Sequence, residues 1–481
     1  MAQPSAYEQF LLELINRGRL DPLAEAVRYQ NDLNEGLDPG TISSSAKQPL
    51  AWNGELADGA RAHSAWMLDV DMFSHSGIGG SSPGNRMAAA GYEFTGSWAW
   101  GENIAWAGTT GSPDVARYVE IEHEGLFLSE GHRLNTMNGN FQEIGLGVTQ
   151  GIFTSDGAGF NAVMTTENFA RSGSKQFLTG VAFSDLNGDN FYSPGEGLAG
   201  VSFTARDLSG QVHSATSMDA GGYQQTMASG DYTVTIGGVG LSNDLQVGIT
   251  LGSENLKLDL VGDGAVACSG SLVMGINVRD GILLGTAESC AHGNTLDNLI
   301  EGNSGANLLK GNGGADNIRG NAGNDRIYGG AGEDLLSGGQ GKDFLSGGEG
   351  ADRLTGGEGG DYLFGGEGSD VFVYEATTDS CLAGGMDRIY DFVCGIDKID
   401  VLDANLAAGL SSQSLAADRY ADIYFAMEGV AANAMVEVDV TTGAKRGTYL
   451  FVNDGSSAIS SSDMLVGLAG ITGSLSLSDF I

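Results

Sequence analysis

From Gly302 to Val373 the chain repeats every nine residues, as GNSGANLLK, GNGGADNIR, GNAGNDRIY, GGAGEDLLS, GGQGKDFLS, GGEGADRLT, GGEGGDYLF and GGEGSDVFV. Aspartate recurs at Asp316, Asp325, Asp334, Asp343, Asp352, Asp361 and Asp370. Two places after each stands an apolar residue: Ile318, Ile327, Leu336, Leu345, Leu354, Leu363 and Phe372. A fixed period of this length marks a stack of identical small units. A glycine-rich linker has no reason to hold such a register. The glycines permit a tight turn with positive φ. The three residues after each aspartate make a short strand whose middle side chain points inward. Consecutive units then form alternate sides of a flattened coil, so units n and n+2 stack. Their aspartates and turn carbonyls converge on one gap, an oxygen cage that suits Ca²⁺. One large apolar side chain per unit is a thin core, and aligned carboxylates repel. Metal binding must therefore supply much of the folding energy. The expected behaviour is disorder without calcium and a parallel β-roll, holding several Ca²⁺ ions, with it.

These units resemble the RTX (hemolysin-type) calcium-binding repeats. The resemblance implies a secreted, extracellular protein exported by a type I secretion apparatus that reads an uncleaved C-terminal signal. The opening MAQPSAYEQF has no basic and apolar leader pattern, and the chain ends in LSDFI. Both features agree with that expectation. DRIYDFVCGIDKIDVLD looks like the region that follows such repeats in secreted bacterial enzymes. Asn307 occupies the aspartate position of the first unit, which predicts a capping turn with a weaker site.

The other residues do not share this pattern, and 481 residues predict two to four domains. Lys+Arg is 23 against 61 Asp+Glu, a net charge of −38. That excludes general nucleic-acid binding and argues against docking on anionic lipid. No apolar window is long enough for a transmembrane segment. The fold class is multidomain α+β. Residues 1–172 carry helical apolar spacing in AYEQFLLELINRGRL and ELADGARAHSAWMLDV. A third helix is expected in SPDVARYVEIEHEGLFLSEG, with Ser112 as N-cap and Pro113 at the first helical position. EIGLGVTQG and FNAVMTTENFA alternate like strands. Residues 175–290 hold short alternating runs (VAFSDL, VSFTAR, GYQQTM, YTVTI, LQVGITL, LKLDLV), the pattern of a small β-sandwich. A β-roll is expected over 293–373 and a β-rich C-terminal region over 374–481, with strands in DRIYDFV, KIDVLD and GTYLFVND. The cysteine spacing allows local disulfides Cys268–Cys290 and Cys381–Cys394, or four free thiols.

DLNGDNFYSPGE is a second calcium candidate. Asp185, Asn187, Asp189, Phe191 (through its carbonyl), Ser193 and Glu196 fall at positions 1, 3, 5, 7, 9 and 12 of a calcium loop. Asn190 replaces the usual glycine at position 6. The loop resembles the B-type modules of Ser-Asp-repeat adhesins, where such a loop staples a β-sandwich.

The N-terminal polar residues are His75 in FSHSG, Glu102 in GENIA, Glu122, His123 and Glu124 in EIEHEG, and His132 in SEGHR. A zincin needs HExxH, but Phe127 stands where the second histidine would fall. No G-x-S-x-G elbow is present. LLELINRGRLDP, LAWNGELADGARAHSAWM, MFSHSG, NRMAAAGYEF, WGENIAWA, LFLSEGHRLNTM, FQEIGLGV and TTENFA, in this order, resemble the CAP superfamily in its bacterial (SCP/PR1-like) branch. The resemblance implies an α-β-α sandwich with a cleft of histidines and acids. His75, Glu102 and His132 match three cleft positions. Leu126 and Ser129 stand where eukaryotic members carry W-x-x-E, and Asn140 where they carry a later histidine. Glu122, Glu124 or Glu130 could supply the fourth member. Two imidazoles with carboxylates could hold Zn²⁺ or another divalent ion, or act as an acid–base pair. His63 lies among apolar helix positions and reads as structural. The favoured reading is a calcium-binding secreted protein whose CAP domain binds an extracellular ligand: a lipid, a peptide or a surface component. The alternatives are a hydrolase using His75, Glu102 and His132, and a calcium-dependent surface adhesin.

Overall fold

The structure is a computed structural model that describes residues 2–401, 410–427, 430–431, 434–453 and 463–481. The ends of the expected strands KIDVLD (402–403) and GTYLFVND (454) lie outside the described residues. The chain forms two compact units, 1–271 with 284–286, and 272–283 with 287–481.

The first unit opens with helix α1 (Ala6–Leu20), started by a capping box between Ser5 and Glu8. Its stripe of Phe10, Leu11, Leu14 and Ile15 is buried. Helix α2 (Pro22–Arg28) and strand β1 (Ala51–Trp52) follow. Asn53 caps α3 (Gly54–Asp69), and Ser82 caps α4 (Pro83–Ala89). Strand β2 (Trp98–Thr109) precedes α5 (Val115–Leu128) and α6 (Glu130–Thr136). The N-cap of α5 is Asp114, not Ser112, so Pro113 lies outside the helix. The Asp114 carboxylate accepts the Arg117 N–H at 3.2 Å, and an aspartate closer to the helix satisfies the same donor. Strands β3 (Glu143–Ser155) and β4 (Ala158–Ser172) form a hairpin, and the sheet order is β1-β3-β4-β2. Residues of β3 alternate between faces. A Cβ at Gly145 or Gly147 would overlap the α3 backbone, so these glycines let α3 lie on one face. Thr165 on β4 points to the other face, where it meets Glu122 of α5. The sheet is thus enclosed between α3 and α5, and β2 is an edge strand.

The rest of the first unit is a set of short strands. Ser202–Asp207, Val212–Thr216, Gly230–Gly237 and Leu245–Leu251 pair antiparallel. Gln176–Phe183 lies between Gly222–Met227, antiparallel, and Leu256–Val261, parallel. A fully buried ion cluster ties this module to α1. The Lys257 ammonium donates to Glu13 Oε2 at 2.9 Å and to Asp259. Gln9 donates to the other Glu13 oxygen at 2.7 Å.

In the second unit parallel coil pairing begins with Leu272–Met274 on Cys290–His292, upstream of the expected start at residue 293. These first rungs keep an apolar interior, through Leu272 and Ala291, without the glycine–aspartate turn. From Leu299 each strand pairs in register with the one eighteen residues on, as Ile300↔Ile318, Ile318↔Leu336 and Leu336↔Leu354. Each central apolar residue is fully buried. Arg388–Ile389 and Lys398–Val401 continue the two stacks past the last repeat. Met435–Thr442, Gly447–Val452 and Met464–Leu468 then form an antiparallel set. It packs on a helix at Tyr420–Ala426 that the alternating pattern does not predict. All four cysteines are free thiols. Among the described residues no helix is long and apolar enough to cross a membrane.

Candidate calcium ladder and histidine cleft

The repeat aspartates stack as two columns. Each aspartate's backbone N–H donates to the Oδ1 of the aspartate one stacked unit later. The pairs run Asp316 to Asp334 (2.8 Å), Asp325 to Asp343 (2.7 Å), Asp334 to Asp352 (2.8 Å), Asp343 to Asp361 (2.8 Å) and Asp352 to Asp370 (3.0 Å). That leaves Oδ2. In Asp316, Asp325, Asp334, Asp343, Asp352 and Asp361 this atom is buried and has no hydrogen-bond partner. Buried polar atoms are rarely left unmatched, and a carboxylate oxygen is the costliest kind. Beside the first five lies a backbone carbonyl: a Cβ at Gly311 would overlap both Asp316 Oδ2 and the Gly329 oxygen. The same cradle recurs at Gly320, Gly329, Gly338 and Gly347. Burial pushes Asp325, Asp352 and Asp361 up to about 7, and Asp316, Asp343 and Asp370 up to about 6. Among the described residues no three His, Cys, Asp or Glu side chains gather closely enough to hold a metal ion. An ion in the roll would take one or two carboxylates and complete its shell with carbonyls, and an all-oxygen set of that kind fits calcium.

The ladder is longer than the repeats. Asp361 N–H donates to Asp387 Oδ1 at 2.8 Å, and Asp370 N–H to Asp397 Oδ1 at 3.1 Å. Asp387 is fully buried, and its Oδ2 has no strict hydrogen bond although the buried Tyr374 hydroxyl faces the carboxylate. The signal was present in sequence: Asp387 and Asp397 each precede an apolar residue, Ile389 and Ile399, by two places. A longer spacer hid it. At the other end Asn298 donates its amide to the Val278 and Arg279 carbonyls, at 3.3 and 3.1 Å. Asn307 donates its own to Asn303 Oδ1 at 3.0 Å. In both, the uncharged amide oxygen takes the place that Oδ2 has in the repeat aspartates and accepts a backbone N–H, so the first rungs bring no carboxylate to the columns.

In the loop at 185–196 the polar oxygens bind the loop's own backbone. Asp185 Oδ1 accepts from Gly188 N–H (2.8 Å), Asp189 Oδ1 from Phe191 N–H (2.8 Å) and Glu196 Oε2 from Ser193 N–H (2.7 Å). Asn187 Oδ1 accepts from Asp189 N–H at 3.1 Å. Asn190 takes φ 57°, the left-handed conformation that glycine usually supplies and asparagine tolerates. Asp185 Oδ1 also accepts from Asp189 N–H at 3.2 Å, while each of the other three oxygens accepts one such bond.

His75, Glu102 and His132 do meet. A carboxylate only accepts, so His75 Nδ1–H donates to Glu102 Oε1 at 2.9 Å and leaves Nε2 as the basic nitrogen. Arg86 from α4 binds the other Glu102 oxygen and donates to the His75 carbonyl at 2.9 Å. The His75 and His132 rings lie 6.4 Å apart beside edge strand β2. His132 Nδ1 is 2.9 Å from Ser129 Oγ, and burial lowers the His132 pKa. Asn135 donates to the Glu102 carbonyl at 3.2 Å and to Asn103 at 2.9 Å, while Asn103 donates to Glu167 at 2.9 Å. Arg86, Asn103, Asn135 and Ser129 are not assigned to the cleft by motif, although all four lie in the CAP-like segments NRMAAAGYEF, WGENIAWA and LFLSEGHRLNTM. None of the three suggested fourth acids joins the pair. Glu122 is buried under Thr165 and pushed by burial up to about 8; Glu124 is partly exposed and Glu130 exposed. Glu102 is spent on His75 and Arg86, so a zinc site in this cleft is not supported. His123 is structural, donating to buried Glu25 at 3.1 Å. His63 holds the Ser74 carbonyl at 2.9 Å and stacks on Trp66.

Residues 12–164 match the model of the CAP, or cysteine-rich secretory protein, family. Residues 292–323, 311–345, 337–372 and 346–379 match four copies of the RTX calcium-binding nonapeptide repeat. The chain therefore carries a CAP domain and a set of RTX repeats, which together support a calcium-binding bacterial protein. One similar solved structure is an extracellular protein containing a SCP domain from Bacillus anthracis str. Ames (24% identity, TM-score 0.20). That match covers 36% of this chain and 45% of the other, less than half its length. Another is the AlgE6R3 subunit of the Azotobacter vinelandii mannuronan C5-epimerase (26% identity, TM-score 0.14), covering 39% of this chain and 80% of that one. No curated protein matches the chain.

Proposed function

We propose that this is an extracellular protein whose RTX roll folds on calcium and whose CAP cleft binds an extracellular ligand. The observation that carries the calcium half is the row of buried, unpartnered Oδ2 atoms, five of them set against a carbonyl. In this reading Asp316, Asp325, Asp334, Asp343, Asp352, Asp361 and Asp370 are the repeat ligands. Asp185, Asn187, Asp189, the Phe191 carbonyl and Glu196 form a separate site in the β-module. Bound calcium would neutralise carboxylates that otherwise cannot ionise cheaply in the roll. The RTX repeats also support export by a type I apparatus. Calorimetric titration of the full chain, with circular dichroism in chelator, tests this. Several ions should bind and β-content should rise with them; full β-content in chelator would sink the idea.

For the cleft, the ligand reading rests on a half-exposed His75 held rigidly by Glu102 and Arg86. A lipid, peptide or surface component would hydrogen-bond to Nε2. The hydrolase reading has one observation in its favour. The Glu102–His75 pair is oriented as a general base, with Nε2 free to take a proton. Turnover of a panel of ester and peptide substrates, lost in His75→Ala with the fold intact, would favour hydrolysis. No turnover, together with lipid or peptide retained by the wild type but not by His75→Ala, supports the binding reading.

A further inference from the structure

One outer face of the roll differs from the other. On the sheet built from Leu308–Gly313, Arg326–Ala331, Phe344–Glu349 and Tyr362–Glu367, the residues flanking each buried apolar position point outward. They stack in register across strands, Arg326↔Phe344↔Tyr362 in one column and Lys310↔Tyr328 in the other. The result is a continuous aromatic strip. Ring centroids are 5.5 Å apart for Tyr328–Phe344, 5.1 Å for Phe344–Phe364 and 4.7 Å for Phe364–Tyr390, the last pair nearly parallel. Cations border it. Lys310 lies 5.9 Å from the Tyr328 ring centre, and Lys342 lies 4.6 Å from that of Tyr362. Arg388 approaches the Tyr362 ring at 5.9 Å. The opposite face has no aromatic outward residue in the repeats, and its arginines are paired: Arg319 with Glu301 (3.6 Å) and Arg353 with Asp400 (3.1 Å). Among the described residues Lys310, Arg326, Lys342 and Arg388 form no ion pair. In a chain of net charge −38, four unpaired cations on one aromatic face are a local reversal of sign. Past the last repeat the strip runs into a cavity of about 1020 Å³ whose charged lining is Lys342, Arg388 and one acid, Glu358, beside Tyr420.

We propose that this face binds an acidic polysaccharide lying along the roll. Rings spaced at strand separation offer flat apolar surface to the C–H faces of successive sugars. The cations meet the carboxylates or sulfates. The turn residues Glu349 and Glu367 stack at the border of the strip, so the partner's charges must be spaced rather than continuous. This disfavours nucleic acid, which carries a charge at every nucleotide. The proposal needs the folded roll and is independent of the CAP cleft.

The test uses the calcium-loaded full chain. The probes are hyaluronan, chondroitin sulfate and polygalacturonate oligosaccharides, with dextran as a neutral control and single-stranded poly-dT as the nucleic-acid control. At least one acidic oligosaccharide should bind, more weakly as salt rises. Its affinity should fall roughly tenfold in Arg326→Ala/Lys342→Ala and in Tyr328→Ser/Phe364→Ser, and stay unchanged in Arg319→Ala/Arg353→Ala. Circular dichroism in calcium verifies that each variant has a folded roll. A Lys342→Arg variant, which keeps the charge, should bind like wild type and guards against a folding artefact. Binding of no acidic probe, equal binding of dextran, tighter binding of poly-dT, or equal loss in the opposite-face variant each overturns the proposal.

Discussion

A single carboxylate illustrates how the roll works. Asp343 gives Oδ1 to the Asp325 N–H and keeps Oδ2 buried and free. An amide at this position retains the first acceptor but removes the charge. Asp343→Asn should therefore bind about one calcium ion fewer and need more calcium to fold, read by calorimetry and circular dichroism. An unchanged ion count would remove Asp343 from the ligand set. A different pair of acids lies beneath the cleft. Burial pushes Glu122 up to about 8 and Glu167 up to about 7, and each has one unpartnered oxygen. Burial favours the neutral form of both on folding. The folded state then holds protons that the unfolded chain has already released above roughly pH 4. Stability of the first unit should fall as pH rises from about 5 to about 8 and level off above. Glu122→Gln with Glu167→Gln should flatten that slope in thermal melts at a series of pH values; a slope that persists would show other groups are responsible. These two acids were not recognisable as a pair in the sequence, because Thr165, Asn103 and the sheet that brings them together are distant along the chain.

At the scale of elements, legibility followed repetition. The nonapeptide strands could be placed because turn, strand and inward residue recur at a fixed step, and the same rule located the aspartates. Asp387 and Asp397 escaped it because a spacer breaks the step, although the aspartate-x-apolar pattern survives. The α5 start moved by two residues because Ser112 and Asp114 can both cap, and only packing chooses. His75, Glu102 and His132 could be named from the CAP resemblance, but Arg86 and Asn135 belong to the site only through tertiary folding. So does the join between α1 and the β-module, where Lys257 serves two buried carboxylates. Lys257→Met leaves Glu13 and Asp259 buried without a cation and should cost about 3–5 kcal/mol, measured by denaturant unfolding. Replacing all three by Glu13→Leu, Lys257→Met and Asp259→Leu should recover most of that loss. If the triple variant is no more stable than Lys257→Met, the cluster is needed for its hydrogen bonds and not only for charge balance.

At the scale of the whole molecule, the two units draw their stability from different sources. The first has several apolar clusters, with Leu11, Ile15, Val119, Leu146 and Phe169 fully buried. The repeats have only two files of apolar residues, one from each sheet, and two columns of buried acids. Heating in calcium should give a roll transition that chelator abolishes or lowers sharply, whereas chelator should lower the first unit's transition only by the smaller amount that the single site at 185–196 contributes. A single transition that shifts as one with calcium would mean that the units unfold together.

The aspartate ladder also has a polarity. Every rung lends its N–H to a carboxylate supplied by a later rung, never an earlier one. Removing rungs from the N-terminal end of the stack takes away donors and leaves the remaining carboxylates in place. Removing Asp387 and Asp397 strips the acceptor from Asp361 and Asp370 and unseats the column from its foot. The roll is thus a one-way zip fastener whose closed end lies outside the repeats, and shortening it by equal lengths from its two ends should have unequal effects.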